Sequence, residues 1–482
     1  MINFRIIARI FSLLLIVEGL FMLLSAGVSY IYNEQAAWSF FYSALITIVM
    51  GFIVFTPLRN VEKVTGKKEG YIIITGIWLL FALFGTLPYL LSGSARSFTD
   101  AFFESMSGFT TTGATIFTDV ESLQHGILFW RSLTQWIGGI GIIFISLYVL
   151  PVFKSIYIQL PAGEFSGQPS DKIYPRIRDT AKRLAFIYAL LTLSEIILLF
   201  IGGLPFFDSV CISFSTLSTG GFSTMNNSMT AFSNPFIIIV ITLFMFIAGI
   251  NMTFIYFGLK RNFNKIFGNN EFFFYWIICA AFTIIVSLIL NLKHGFPAGK
   301  AILEGSFHVV SIITTTGFFI YDPLLWDDML IILFFVLMFT GGTAGSTCGG
   351  MKIVRLLLVT KNSRQELVRL LHPSAFLPVK LDRKIISQTT IFNLLVFIML
   401  YFLVICVSSF VISFMGYDLV TSFSTSASML ANIGPALGTS GPSTDFSLIP
   451  GAGKWFMSAL MLLGRLELLT VIVLFTRSFY RH

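Results

Sequence analysis

Three stretches of this chain, Ile237–Ile250, Ile277–Leu292 and Leu394–Phe414, carry no charged residue at all. About 20 apolar residues span the hydrocarbon core of a bilayer as a helix. Runs of this kind recur along the whole sequence, so they constrain its fold more than any motif does. Charged residues make up only 11% of the chain and hydrophobic residues 56%, whereas a soluble domain carries about 25% charged residues. Most of the chain therefore has lipid as its solvent, and an all-α polytopic membrane protein is expected.

The net charge of +8 is explained by the membrane rather than by nucleic acid, because the cations are segregated. Arg5, Arg9, Arg59, Lys63, Lys67, Lys68, Lys154, Lys172, Arg176, Arg178, Lys182, Arg183, Lys260, Arg261, Lys265, Lys352, Arg355, Lys361, Arg364, Arg369, Lys380, Arg383, Lys384, Arg477 and Arg481 fall on one side. Only Arg96, Arg131, Lys293, Lys300 and Lys454 fall on the other. The positive-inside rule puts the rich side, and both termini, in the cytoplasm. Cys211, Cys279, Cys348 and Cys406 form no CxxC pair and sit in apolar segments, as small buried residues rather than disulfides or zinc ligands. Arg5 and Arg9 followed by Ile10–Leu24 imitate a signal peptide. The apolar stretch is long for one and a second span follows, so a retained helix is expected.

Two helices come first, near 8–31 and 37–57, followed by a basic link at 59–68. A pattern then recurs four times: a spanning helix, a short stretch ending in hydroxyl residues and Gly, and a second spanning helix. The helix pairs are expected near 71–93 and 127–153, 181–203 and 235–259, 271–292 and 328–360, and 385–415 and 454–477. These divide the chain into two N-terminal helices (1–68) and pore repeats at 69–178, 179–268, 269–380 and 381–482. The intervening stretches contain Thr110-Thr111-Thr112-Gly113, Ser218-Thr219-Gly220, Thr314-Thr315-Thr316-Gly317 and Asn432-Ile433-Gly434, with the last glycines 107, 97 and 117 residues apart. Each stretch is too short to cross twice as helix, so it must enter the membrane and return. Such backbone survives only when shielded by protein or lining a watery cavity. One loop alone reads as a Ser/Thr/Gly turn. Four at matching positions read as the lining of one pore.

The loops have the chemistry of a potassium filter. K⁺ must shed water to enter a narrow passage, and backbone carbonyls can replace that water. Gly lets the backbone adopt the conformations required and approach the ion closely. The preceding segments, Ala101–Phe109, Ser209–Ser215, Gly305–Val310 and Thr421–Met429, are expected to be short pore helices whose partially negative C-terminal ends aim at the ion. The filter residues alone are expected to bind metal, as transported K⁺, and no cofactor is expected.

The run Gly341-Gly342-Thr343-Ala344-Gly345-Ser346-Thr347-Cys348-Gly349-Gly350 should break the second helix of repeat three. An interior Gly costs a helix about 1 kcal/mol relative to Ala, and the hydroxyl residues compete for backbone bonds. A polar loop near mid-membrane should line a cavity, below the filter, where it obstructs the pore as a gate. Met351-Lys352 after the glycine pair excludes a phosphate-binding P-loop. Arg465 stands midway along 454–477. A mid-span Arg is costly and usually faces an interior cavity, so Arg465 is expected to place positive charge below the filter. Glu467, two residues on, does not share its helix face. Glu18 and Glu195 are further intramembrane acids.

With these residues in view, the sequence resembles the superfamily of K⁺ transporters that includes TrkH, KtrB and the HKT proteins. The resemblance covers essentially the whole chain. It is carried by Phe103-Glu-Ser-Met-Ser-Gly-Phe-Thr-Thr-Thr-Gly-Ala114, Thr219-Gly-Gly-Phe-Ser223, Thr314-Thr-Thr-Gly-Phe318, Gly341-Gly-Thr-Ala-Gly-Ser-Thr-Cys-Gly-Gly-Met-Lys352 and Gly464-Arg-Leu-Glu467. The two extra N-terminal helices are similar to the TrkH branch rather than to KtrB. The resemblance implies one K⁺ pore per subunit, a homodimer in the bacterial inner membrane, a gate at 340–350, an Arg at 465, and a cytosolic nucleotide-binding ring similar to TrkA docking on the basic links Lys154–Arg183, Lys260–Asn270 and Lys361–Lys384. Some Na⁺-passing HKT proteins have Ser at the first filter glycine; Gly113 here favours K⁺. Pro435-Ala436 departs from the Pro-Gly common in the family.

Two other classes compete. An enzyme would need a nucleophile–base pair or a metal cluster, yet His125, His294, His308, His372 and His482 are scattered and no HExxH is present. A carrier coupled to H⁺ or Na⁺ is the alternative mechanism, and a less selective K⁺/Na⁺ pathway the alternative specificity. Fourfold parallel repeats favour a channel-like pore over the inverted repeats of many carriers.

Overall fold

A computed structural model describes residues 2–60, 66–152, 173–231, 234–320, 328–373, 377–382, 384–438 and 445–480. The expected charges at Lys63, Lys154, Lys172, Arg383 and Arg481, and residues 153–172 of the first cytoplasmic link, lie outside the described residues. Two long helices open the chain, α1 (Phe4–Ile31) and α2 (Ala36–Leu58). Asn3 caps α1 by accepting from the Arg5 and Ile6 amides. The two helices pack on each other, and α1 also lies against repeat one.

Repeat one comprises α3 (Lys67–Phe84), α4 (Leu87–Leu91), the pore helix α5 (Phe98–Phe109) and α6 (His125–Val152). Repeat two comprises α7 (Ile173–Ile201), α8 (Phe206–Leu217), α9 (Pro235–Ala248) and α10 (Met252–Leu259), with α11 (Asn264–Phe267) as a connector. Repeat three comprises α12 (Asn270–Leu292), α13 (Ala298–Ile313), α14 (Asp328–Leu337) and α15 (Ile353–Leu371). A two-stranded hairpin follows, β1 (Lys380–Leu381) and β2 (Lys384–Ile385). Repeat four comprises α16 (Gln388–Phe414), α17 (Leu419–Ala431), α18 (Gly451–Arg465) and α19 (Leu468–Ile472), and α20 (Arg477–Tyr480) ends the described chain. Among the described residues six helices are long and apolar enough to cross a membrane, or eight if each of two bent pairs counts as one span.

Local signals start the four pore helices. Ser97 caps α5 and Asp418 caps α17 through side-chain oxygens, while Pro205 and Pro297 precede α8 and α13. α5, α8 and α17 begin two or three residues before the expected starts, and α13 begins seven before. The second helix of one repeat packs against the pore helix of the next: α6 on α8, α9 on α13, and α18 on α5. That succession wraps the four repeats around a common centre.

The second helices differ from expectation in two repeats. Residues 235–259 do not form one helix: α9 and α10 meet at a 107° bend, where Asn251 caps α10 by accepting from the Thr253 amide. Residues 454–477 do not either, since α18 and α19 meet at 112°, with Glu467 at φ 62°. Arg465 is thus the last residue of α18 rather than a mid-helix residue. In repeat three the expected break is present, and the segment between α14 and α15 holds all of Gly341–Gly350. Arg131, counted from sequence among the few cations on the side opposite the cytoplasm, is only 2% exposed. Its guanidinium Nε donates to Glu104 Oε1 at 2.8 Å, and pairing is what makes a buried charge tolerable. Cys211, Cys279 and Cys348 are buried free thiols as expected, but Cys406 is exposed.

Candidate functional site

The four pore helices end in the same way. The Thr112, Gly220, Thr316 and Ile433 amides donate to the Ser107, Ser215, Ser311 and Ser428 carbonyl oxygens at 2.9, 2.8, 2.8 and 2.9 Å. One residue earlier, the Thr111, Thr219, Thr315 and Asn432 amides donate to Gly108, Thr216, Ile312 and Met429 at 2.9, 3.0, 3.0 and 3.4 Å. This pair of bonds is the Schellman closure of a helix, which places its C′ residue in the left-handed region. Thr111, Thr219, Thr315 and Asn432 accordingly have φ of 52°, 56°, 55° and 57°. Glycine normally occupies such a position, and left-handed backbone costs other residues roughly 1–2 kcal/mol. Three of these four residues are β-branched, for which the conformation is a genuine outlier.

Two residues beyond each strained position comes a glycine with positive φ: Gly113 (84°), Gly221 (79°), Gly317 (80°) and Gly434 (92°). A Cβ on Gly113 would strike the carbonyl oxygen of Gly220, and one on Gly221 that of Thr316. One on Gly317 would strike Ile433 O, and one on Gly434 would strike Thr112 O. Repeat one touches two, two touches three, three touches four, and four returns to one. The four loops are a closed ring.

The ring corrects the register in repeat two. The glycine equivalent to Gly113 is Gly221, and Gly220 stands at the position of Thr112, Thr316 and Ile433. A signal for this was present in sequence. Ser107, Ser215, Ser311 and Ser428 each precede their ring glycine by six residues, and counting from the serines gives Gly221. All the predicted loop residues, Thr110 to Gly113, Ser218 to Gly220, Thr314 to Gly317 and Asn432 to Gly434, lie in the four loops. Hydroxyls brace two of them: Thr110 Oγ1 is 2.8 Å from Thr112 Oγ1, and Thr314 Oγ1 is 2.8 Å from Thr316 Oγ1. Asn432 Nδ2 donates to Thr112 Oγ1 and Met461 O, each at 2.9 Å, so the loop with the fewest hydroxyls fastens itself to its neighbour.

On the exit side of the first loop, Glu104 accepts from the Ile116 amide at 2.9 Å and from Thr115 Oγ1 at 3.1 Å. Arg131 extends the clamp to repeat two, donating through Nη1 to Ser223 O at 3.2 Å. Further out, Asn226 Oδ1 accepts from the Val120 amide at 2.6 Å. The Asn226 amide group also bonds the exposed Asp119 carboxylate at 2.9 Å, and holds it below the usual carboxylate range.

The glycine-rich segment is seated directly against the ring. The Gly349 amide donates to Thr315 Oγ1 at 2.8 Å, and a Cβ on Gly349 would strike Ala431 O. The Thr343 amide and Thr347 Oγ1 donate to Gly249 O and Ala248 O at 2.9 and 3.2 Å, using carbonyls that the α9–α10 bend frees. Glu271 Oε1 accepts from the Ala344 amide at 2.6 Å. Arg465 donates through Nη1 to Thr347 O at 2.7 Å and through Nη2 to Gly138 O at 3.1 Å. It thereby joins this segment to α6. Glu467 is not its partner: Glu467 pairs with Arg355 at 2.5 Å. Glu18 on α1 and Glu195 on α7 are buried, and Glu195 faces Thr216 in the last turn of the second pore helix. No group of three or more His, Cys, Asp or Glu side chains able to hold a metal ion occurs among the described residues.

Known proteins resemble this chain in sequence and fold. Residues 39–480 match the TrkH family, described as cation transport proteins. The chain is 36% identical to the Trk system potassium uptake protein TrkH of Salmonella typhimurium, over 99% of this chain and all of that protein. It is 32% identical to the Trk system potassium uptake protein TrkG of Escherichia coli, over 99% of each. The crystal structure of the potassium transporter TrkH from Vibrio parahaemolyticus superposes with a TM-score of 0.92 at 33% identity, covering all of both chains.

Proposed function

This chain belongs to the TrkH family of cation transport proteins, and from that membership we propose that it takes up K⁺ through one selective pathway on the axis of the loop ring. It is a multi-pass membrane protein and a transporter rather than an enzyme. The observation that carries the proposal is ring closure: four loops, each packed against a carbonyl oxygen of the next, concentrate main-chain oxygens at one level. Carbonyl dipoles held this way can replace the hydration shell of K⁺, and four helix C-termini converge on the same place.

Thr110–Gly113, Ser218–Gly221, Thr314–Gly317 and Asn432–Gly434 would form the filter, with Gly221 added to the residues legible in sequence. Gly341–Gly350 would form the gate beneath it, held shut by Arg465 and by the Gly349–Thr315 bond. Family membership supports a homodimer in the bacterial inner membrane with both termini cytoplasmic, and a nucleotide-binding ring similar to TrkA on the cytoplasmic links.

Cation flux through the purified protein in liposomes tests the proposal. Passive flux in the order K⁺ and Rb⁺ above Na⁺ and Li⁺, without a proton gradient, is expected once the gate is released. A reversal potential that follows the H⁺ or Na⁺ gradient would replace the pore by a coupled carrier. Equal fluxes of all four cations would remove the filter assignment.

A further inference from the structure

In repeats one and three, the residue before the ring glycine is a threonine whose hydroxyl braces the loop from behind: Thr112 on Thr110, and Thr316 on Thr314. Repeat two has Gly220 there, with no side chain to do so. Gly220 is not among the positive-φ glycines, so its backbone conformation does not demand glycine. What excludes a side chain is Gln135 of α6, in repeat one. A Cβ on Gly220 would collide with the Gln135 carboxamide, lying 2.6 Å from Oε1 and 2.8 Å from Nε2. Gln135 is completely buried, and both of its polar atoms are used on this loop. Nε2 donates to Gly220 O at 2.7 Å, and Oε1 accepts from the Phe222 amide at 3.2 Å. The two bonds straddle Gly221 and grip the backbone on either side of the ring glycine.

We infer that Gln135 is a positioning residue for ion selection: its carboxamide occupies the place of the missing side chain at 220 and fixes the second loop in the ring. The inference rests on the filter reading above. The bonded oxygen, Gly220 O, is also the one that Gly113 packs against. Any displacement of this carbonyl therefore reaches repeat one as well as repeat two. The Gln135 bond further withdraws electron density from one of the four carbonyls at this level, so the ring is chemically uneven as well as held. Selectivity depends on the number and geometry of the coordinating oxygens, so the loss of this grip loosens discrimination more than throughput.

The test exchanges the side chain between the two positions. Gln135→Met keeps the volume and removes both bonds. Gly220→Thr restores a hydroxyl within reach of Ser218 but meets the carboxamide. Gln135→Ala combined with Gly220→Thr makes room for that hydroxyl. Rb⁺ and Na⁺ fluxes are measured for each in liposomes, beside Gly113→Ser as a control on the filter itself. A lost hydrogen bond predicts a fall of about threefold to tenfold in the Rb⁺:Na⁺ flux ratio for Gln135→Met and for Gly220→Thr, with recovery in the double variant. If Gln135→Ala does not fold alone, recovery of folded protein in the double variant supports the same exchange. An unchanged ratio in Gln135→Met while Gly113→Ser alters it, or a double variant no better than its parts, overturns the inference. An unchanged ratio in Gly113→Ser instead overturns the filter reading on which it stands.

Discussion

Replacing Arg465 by Ala removes a side chain that bonds both the glycine-rich segment and α6. The guanidinium is 2% exposed and reaches Thr347 O on the segment at 2.7 Å and Gly138 O on α6 at 3.1 Å. A hydrogen bond from a charged donor contributes about 1.5–3 kcal/mol. If the bond to Thr347 exists only in the closed arrangement, its loss raises the open-to-closed ratio by about 10- to 150-fold. Rb⁺ uptake into liposomes without any partner protein should rise until the open fraction saturates. Arg465→Gln keeps a neutral amide donor and should fall between wild type and Arg465→Ala. The same series separates two roles. Releasing the segment raises maximal flux, whereas removing positive charge beneath the filter tightens K⁺ occupancy and lowers the concentration at half-saturation. Folded Arg465→Ala with unchanged flux would refute the idea that this contact holds a gate closed.

Three further outcomes are expected. Gly113→Ser adds a Cβ against Gly220 O at a residue with φ 84°, and should lower the K⁺:Na⁺ permeability ratio in the same flux assay. Deleting Gly342–Gly349 should raise K⁺ flux. The stems of the segment lie side by side, with the Gly341 amide bonded to Met351 O at 2.9 Å, so the cut can be rejoined. Thr111→Gly removes a strained left-handed threonine whose hydroxyl has no hydrogen-bond partner. It should raise the thermal denaturation midpoint, by the equivalent of about 1 kcal/mol, while Thr315→Gly gains less because it forfeits the bond from the Gly349 amide.

Much of the architecture was legible because it follows from local sequence. Span lengths, the four hydroxyl-rich loops and the glycine cluster between α14 and α15 are each announced by a contiguous run of residues. The bends at Gly249–Asn251 and at Leu466–Glu467 are not, and at the first the freed carbonyls are satisfied by distant partners. Gly249 O accepts from Thr343, 94 residues away in sequence. The burial of Arg131 was not legible either, since its partner Glu104 sits on another helix and no spacing rule connects them. The pairing of Glu467 with Arg355 rather than with any neighbour joins residues 112 apart.

The misplaced register at Gly220 shows what kind of information a single loop lacks. By its own geometry, each Schellman closure calls for glycine at its left-handed residue, and the chain places threonine or asparagine there. Glycine comes two residues later, where a Cβ would meet the carbonyl of the neighbouring repeat. Positive φ and a carbonyl of the next loop act together on Gly221, whereas Gly220 has neither and meets the Gln135 side chain instead. Because each ring glycine answers to the next loop, none of the four loops can hold its shape independently. The strain at Thr111, Thr219 and Thr315 persists because ring closure over-determines the backbone around it. The four loops therefore behave as one unit, and a substitution in any of them perturbs oxygen geometry around the whole ring.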